Sequence, residues 1–178
     1  MTHGVSQNSF HRLTIAAMIA ALDNLDHILA KAEAHAAKHE IEPGNLLNAR
    51  LYPDMFSLIQ QLQYACYIPA DFAQHFADAP APRVGYDEAT FEDVHKSLKT
   101  IIAYLKAIPP ARLAERAGRV VPTFFDNSRG LPAEDYAAAM IMPDFYFHLT
   151  ITYAILRHNG VPLGKKDFIG DLDTVKLA

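Results

Sequence analysis

A single cysteine, Cys66, stands in 178 residues, so no internal disulfide can form. That points to a reducing, cytoplasmic setting. Positive charge is not in surplus either: 16 Lys and Arg against 20 Asp and Glu leave a net charge of −4. A polyanion-binding surface has no support from composition, and nucleic acid is not an expected partner. No uncharged apolar run reaches ~18 residues, so no membrane span is expected. Met1 to Ser9 is polar, with His3, Gln7 and Asn8, and does not read as a secretory signal. A glycine-rich phosphate loop, a Gly-x-Ser-x-Gly elbow and a Cys-x-x-Cys pair are all missing. P-loop phosphoryl transfer and serine-elbow hydrolysis therefore find no support.

What is present is ordinary globular composition, 51% hydrophobic and 20% charged, at the length of one domain. Four apolar stripes recur at helical spacing. The first helix is expected from about Ser6 to Lys38, on Ile15, Met18, Ile19, Leu22, Leu25 and Leu29. Turn chemistry at Ile41-Glu42-Pro43-Gly44-Asn45 ends it. The second is expected from near Pro53, a residue suited to a first helical turn. Its inner face is Met55, Leu58, Ile59, Leu62 and Cys66, and Pro69 should kink or break it. Cys66, among Leu62, Ala65 and Ile68, reads as core rather than as a reactive thiol. After the extended Ala79-Pro80-Ala81-Pro82 linker, the third helix opens near Asp87, with Phe91, Val94, Leu98, Ile101, Ile102, Leu105 and Ile108 inside. Pro109-Pro110 stops it.

Residues 119–131 differ. Val120, Val121, Phe124 and Phe125 are strand-prone, and Asp126-Asn127-Ser128-Arg129-Gly130 resembles a turn, so a short hairpin or extended loop is expected there. The fourth helix runs from about Pro132 to His158, with Asn159-Gly160 as its stop. The predicted fold is a mainly α, antiparallel four-helix bundle with a hairpin or loop between helices 3 and 4. Residues 1–178 form one domain, with 161–178 as a C-terminal tail packed on the surface.

The fourth helix carries the most distinctive chemistry. At ~100° per residue, Asp144, His148, Thr152 and Asn159 share about a quarter of the circumference. Phe145, Leu149 and Leu156 flank them on one side; Phe147, Ile151 and Ala154 lie on the other. A helix apolar on two flanks meets a large core or a second subunit, so a homodimer is expected. Asp144 and His148, four residues apart, can chelate a metal, pair as base and orienter, or simply hydrogen-bond within the bundle. A third metal ligand must come from another helix, and Asp54 is the candidate. Gln63 and Tyr67 are candidates to line a polar pocket beside it. His35 and His39 share the same spacing but sit among charges at a solvated helix end, where only adventitious zinc or nickel binding is expected. His75 and His95 read as ordinary, partly exposed helix residues.

Three stretches carry a resemblance: Lys31-Ala32-Glu33-Ala34-His35-Ala36, Leu46-Leu47-Asn48-Ala49-Arg50-Leu51-Tyr52-Pro53-Asp54-Met55-Phe56, and Pro143 through Gly170 with its Phe145-Tyr146-Phe147-His148 block. They resemble domain-of-unknown-function family 1993, whose members look like relatives of the DinB/YfiT four-helix bundles. The resemblance covers nearly the whole chain and implies a DinB-like bundle, often dimeric. Many DinB-like proteins bind a divalent metal through three histidines, one on the second helix and two four apart on the last, and some act as thiol-dependent transferases or isomerases. By that resemblance the last-helix pair is His148 with Asp144 or Thr152, and the second-helix position lies near Asp54; the three-histidine set is not present. Two functions follow as expectations. One is a metal-assisted enzyme on a small molecule, with Asp54, Asp144 and His148 holding Zn, Ni or Mn and Gln63, Tyr67 and Thr152 lining the pocket. The other is a non-catalytic small-molecule-binding or stress-response dimer using the same pocket.

Overall fold

The computed structural model describes residues 7–123, 126–172 and 174–177. The first long helix runs over residues 7–38, as Gln7–His11, a wider π turn Arg12–Ala16, and Ala17–Lys38. Ile15, Met18, Leu22, Leu25 and Leu29 are buried as their spacing requires, and Ile19 lies at the margin of the core. The helix ends before the expected turn. Glu40 takes a left-handed conformation, φ 54°. The Ile41 N–H then bonds the Ala36 carbonyl at 2.9 Å, which satisfies a carbonyl that has no helical partner. Pro43 starts a new short helix, Pro43–Leu47, instead of belonging to a loop. The fourth long helix closes by the same six-to-one bond, Val161 N–H to Leu156 carbonyl at 3.1 Å, with the expected Gly160 at φ 87°.

The second long helix spans Leu58–Ala77, five residues later than its expected start. Ser57 caps it: the Gln60 side chain reaches back to the Ser57 N–H at 3.0 Å. Pro69 does not break it. Pro69 is itself buried, and Ala65, Cys66, Phe72 and Ala73 pack into the core around it. Burial of that whole face outweighs the one hydrogen bond that proline removes. The third long helix, Phe91–Lys106, is capped by Thr90 rather than Asp87. Its stripe from Phe91 to Leu105, and Ile108 beyond it, are buried.

A short helix, Pro110–Ala114, leads to an antiparallel hairpin of β1, Val120–Thr123, and β2, Asp126–Pro132. Val120 faces Pro132 and Val121 faces Leu131. The residues expected to turn, Asp126 to Gly130, lie inside β2, and Phe124 and Phe125 fall outside the described residues. The fourth long helix is residues 133–158: Ala133–Tyr136, a π turn Ala137–Ile141, and Met142–His158. Pro143 stands just past the π turn, after Met142. Its missing N–H removes the bond that a regular helix would make there, and a wide turn accommodates that loss.

The four long helices form the expected bundle, with the second packed most closely on the fourth and the first on the third. Phe72, Phe145, Met18, Leu22, Leu62, Leu98 and Leu105 fill its centre. By length and composition alone, Ser9–Lys38 and Ala133–His158 could each cross a bilayer; here both supply faces to the bundle core. After Gly160 a short helix, Lys165–Ile169, returns against the first long helix. Asn24 donates to the Ile169 carbonyl at 2.9 Å, and Lys31 pairs with Asp167 at 2.9 Å.

Candidate functional site

The buried face of the fourth helix consists of Phe145, His148, Leu149, Thr152, Ile155 and Leu156. The polar stripe therefore runs down the middle of the core face. The second apolar flank is not covered to the same extent, since Phe147 is 52% exposed and Ile151 half-buried. Close packing of the fourth helix on the second makes the difference, because it brings a polar residue of the second helix to meet His148 inside.

That residue is Gln61, 1% exposed. The His148 Nδ1 lies 2.6 Å from Gln61 Oε1, and the Gln61 Nε2 is directed at the Phe56 carbonyl at 3.5 Å. With its amide nitrogen toward a carbonyl, Gln61 offers His148 an acceptor. The imidazole then donates from Nδ1, and its lone pair is on Nε2. Nε2 faces Asp144 Oδ1 at 3.6 Å, beyond a direct hydrogen bond. Burial pushes the His148 pKa below its ordinary value of 6.5, and the nearby Asp144 carboxylate opposes that shift in part. His148 is thus a neutral, oriented imidazole. Its ring stacks on Tyr64 at 4.8 Å and 13°, and Phe56 stacks on Tyr64 at 5.2 Å and 20°.

Tyr64 and Asp144 also line a groove of about 310 Å³ between the second and fourth helices, together with Tyr67, Asp71 and Tyr136. Tyr67 donates its hydroxyl to Asp71 at 3.3 Å. Tyr136 stacks on Phe76 at 5.8 Å and 12°. The π turn Ala137–Ile141 contributes Met140 and Ile141 to the same wall.

The structure brings together only some of the residues singled out from sequence. Asp144 and His148 stand side by side. Thr152 is fully buried one turn further on, and its hydroxyl has no partner among the described residues. Asp54 is not with them. It sits in an exposed turn before the second helix, where the Met55 N–H bonds the Tyr52 carbonyl at 3.0 Å and Arg50 donates to the Met55 carbonyl. The second helix begins at the Ser57 cap, so Asp54 precedes it and never joins its inner face. Gln63 also faces elsewhere: its amide donates to the Glu88 backbone carbonyl at 3.1 Å and ties down the loop before the third helix. Among the described residues, no three His, Cys, Asp or Glu side chains are grouped so as to hold a metal ion. Asp144 and His148 supply two donors, and Gln61 already occupies the other imidazole nitrogen. The side chains present do not fit the three-ligand metal centre expected from sequence.

Gln61 is the residue that the reading from sequence missed. A signal existed, because Leu58, Gln61, Ala65 and Ile68 recur at three- and four-residue spacing and are all buried. Cys66 is buried, and burial together with the Glu88 charge pushes its thiol pKa far up, so it is packing material.

Residues 10–169 match the family model of a domain of unknown function, DUF1993. The chain belongs to the DUF1993 family. A solved relative agrees: the crystal structure of a DinB family member protein from Shewanella denitrificans is 31% identical, with a TM-score of 0.89 over 96% of this chain and 97% of that one. None of the curated proteins compared with the chain matches it. This DUF1993 chain is therefore a DinB-like bundle protein, in which the helix-two side chain facing His148 is the amide of Gln61.

Proposed function

We propose that this DUF1993 protein binds a small molecule without catalysing its conversion, in the groove between its second and fourth long helices. The observation that carries this reading is the Gln61–His148 contact at 2.6 Å. It occupies one imidazole nitrogen with a neutral amide and holds the ring against Tyr64. What remains is a rigid aromatic and carboxylate wall beside a groove of about 310 Å³, at the small end of ligand sites. The metal-assisted alternative, with Asp54, Asp144 and His148 holding zinc, nickel or manganese, lacks its third ligand.

Native mass spectrometry of protein purified without a His-tag tests this. A small molecule carried through purification, and lost in a Tyr64→Ala variant, is the expected result. Stoichiometric metal after reconstitution, absent from His148→Ala, would replace the binding reading with the metal-assisted one.

Exposed Phe147 and half-buried Ile151 favour a homodimer through the outer flank of the fourth helix, which we propose as the assembly. A monomeric mass by light scattering at micromolar concentration would rule it out. The single buried cysteine fits a cytoplasmic setting.

A further inference from the structure

The groove has a lining that selects among ligand classes. Its two carboxylates come one from each helix, Asp71 from the second and Asp144 from the fourth. Among the described residues, no lysine or arginine lines it. The remaining walls are three tyrosine rings and the apolar side chains of Ile68, Met140 and Ile141.

The polar partners that the structure gives these carboxylates leave them room for a cation. Asp144 faces the neutral His148 at 3.6 Å and is half exposed. Asp71 accepts from the Tyr67 hydroxyl and lies 3.4 Å from the exposed His75 imidazole, on its own helix. Tyr64 and Tyr67 meet edge to face, 6.2 Å apart at 79°, which forms a corner of two nearly perpendicular rings. Aromatic faces carry partial negative charge and attract cations, most strongly where water is partly excluded. Behind this corner the protein already seats a cation in that way: the Arg83 guanidinium lies 5.7 Å from the centroid of Tyr86, and Tyr86 meets Tyr67 edge to face at 5.7 Å.

A neutral ligand would remove water from Asp71 and Asp144 and return no charge to them. An anion would be repelled by both. A bare divalent ion lacks a third donor among the described residues.

We propose that the ligand of this groove is an organic ammonium ion, with its charged head between Asp71 and Asp144 and its apolar arm against Tyr64, Tyr67 and Met140. This rests on the groove-binding reading above. Recognition comes from charge at two points and from ring faces between them, so a protonated amine and a quaternary ammonium belong to the same class.

Three probes of similar size test it by calorimetric titration and by chemical shifts of the groove residues: benzylammonium, benzyl alcohol and benzoate. Benzylammonium is expected to bind at least about tenfold more tightly than benzyl alcohol, and benzoate not at all. In the Asp71→Asn, Asp144→Asn double variant the preference for benzylammonium over benzyl alcohol should fall below about threefold. Both aspartates are substantially exposed, so the variant keeps the core intact. Equal or tighter binding of benzyl alcohol overturns the ammonium inference and leaves the groove reading standing. If none of the three moves a resonance of Tyr64, Tyr67 or Tyr136, both readings fall.

Discussion

Two histidines join pairs of helices in this bundle, and they do so by opposite chemistry. His148 links the fourth helix to the second. It is 6% exposed and meets a neutral amide at Nδ1, with a carboxylate at 3.6 Å from Nε2. His95 links the third helix to the first. Its Nδ1 meets Asp26 and its Nε2 meets Glu33 at 3.0 Å, at the edge of the bundle. The two ring nitrogens thus point at carboxylates on the same neighbouring helix, seven residues apart in the chain. The first contact fixes a tautomer in the dry interior, and the second is a polar bridge in contact with water. The same side chain thus serves as an oriented neutral group in the core or as a bridge between two carboxylates at the edge, according to what the neighbouring helix offers it.

The comparison can be broken most forcefully at His148. His148→Ala removes a buried ring, strands the Gln61 amide and leaves a cavity beside Tyr64. It should cost about 2–4 kcal/mol in urea unfolding. Gln61→Leu keeps the packing but leaves the His148 Nδ1–H unpaired, and should cost about 1–3 kcal/mol. A loss below about 0.5 kcal/mol there would show that the contact does not orient the ring.

Gln61→Glu makes the interior site resemble His95 and reverses a pH dependence. In the native protein His148 is held below its ordinary 6.5, because burial favours the neutral ring. Its contribution to stability is complete above pH 6.5 and is lost as pH falls from there through the lower folded value, since the unfolded chain takes up the proton first. A carboxylate at position 61 favours imidazolium, so His148 should titrate above its unfolded value, and its contribution is then lost as pH rises. NMR titration of the imidazole resonances distinguishes the two directions.

His95→Gln should cost less, about 0.5–1.5 kcal/mol, and the loss should shrink in molar salt because the bridge is partly solvated. The cost of His148→Ala should barely change with salt. Smallest of all, Asp54→Asn should stay within about 0.5 kcal/mol and leave metal retention unchanged, because Asp54 lies in an exposed turn. A clear effect on metal binding would restore Asp54 to the site.

Much of the fold was legible because helical spacing is a local property. The stripe from Phe91 to Leu105, the face from Ile15 to Leu29 and the Gly160 stop each depend on residues within a few turns of one another. The hairpin was legible in position but not in detail: Asp126 to Gly130 read as a turn, yet pairing with Val121 and Pro122 drew Gly130 and Leu131 into a strand. Helix boundaries failed where a cap competed with a proline. Pro53 suits a first turn, but the Ser57–Gln60 contact sets the start five residues later, at Leu58, and this alone removed Asp54 from the inner face.

By itself, then, the sequence determined four amphipathic helices, their order, and the neighbourhood of Asp144 and His148 on one face, because all of these follow from the helical repeat. Only tertiary structure decided what His148 meets. Gln61 is 87 residues away in the chain, and Asp26 and Glu33 lie 69 and 62 residues from His95. No local periodicity encodes such distances. The partner of a buried polar group is set by which helices pack together and at what rotation, and that depends on the summed burial of every core side chain at once.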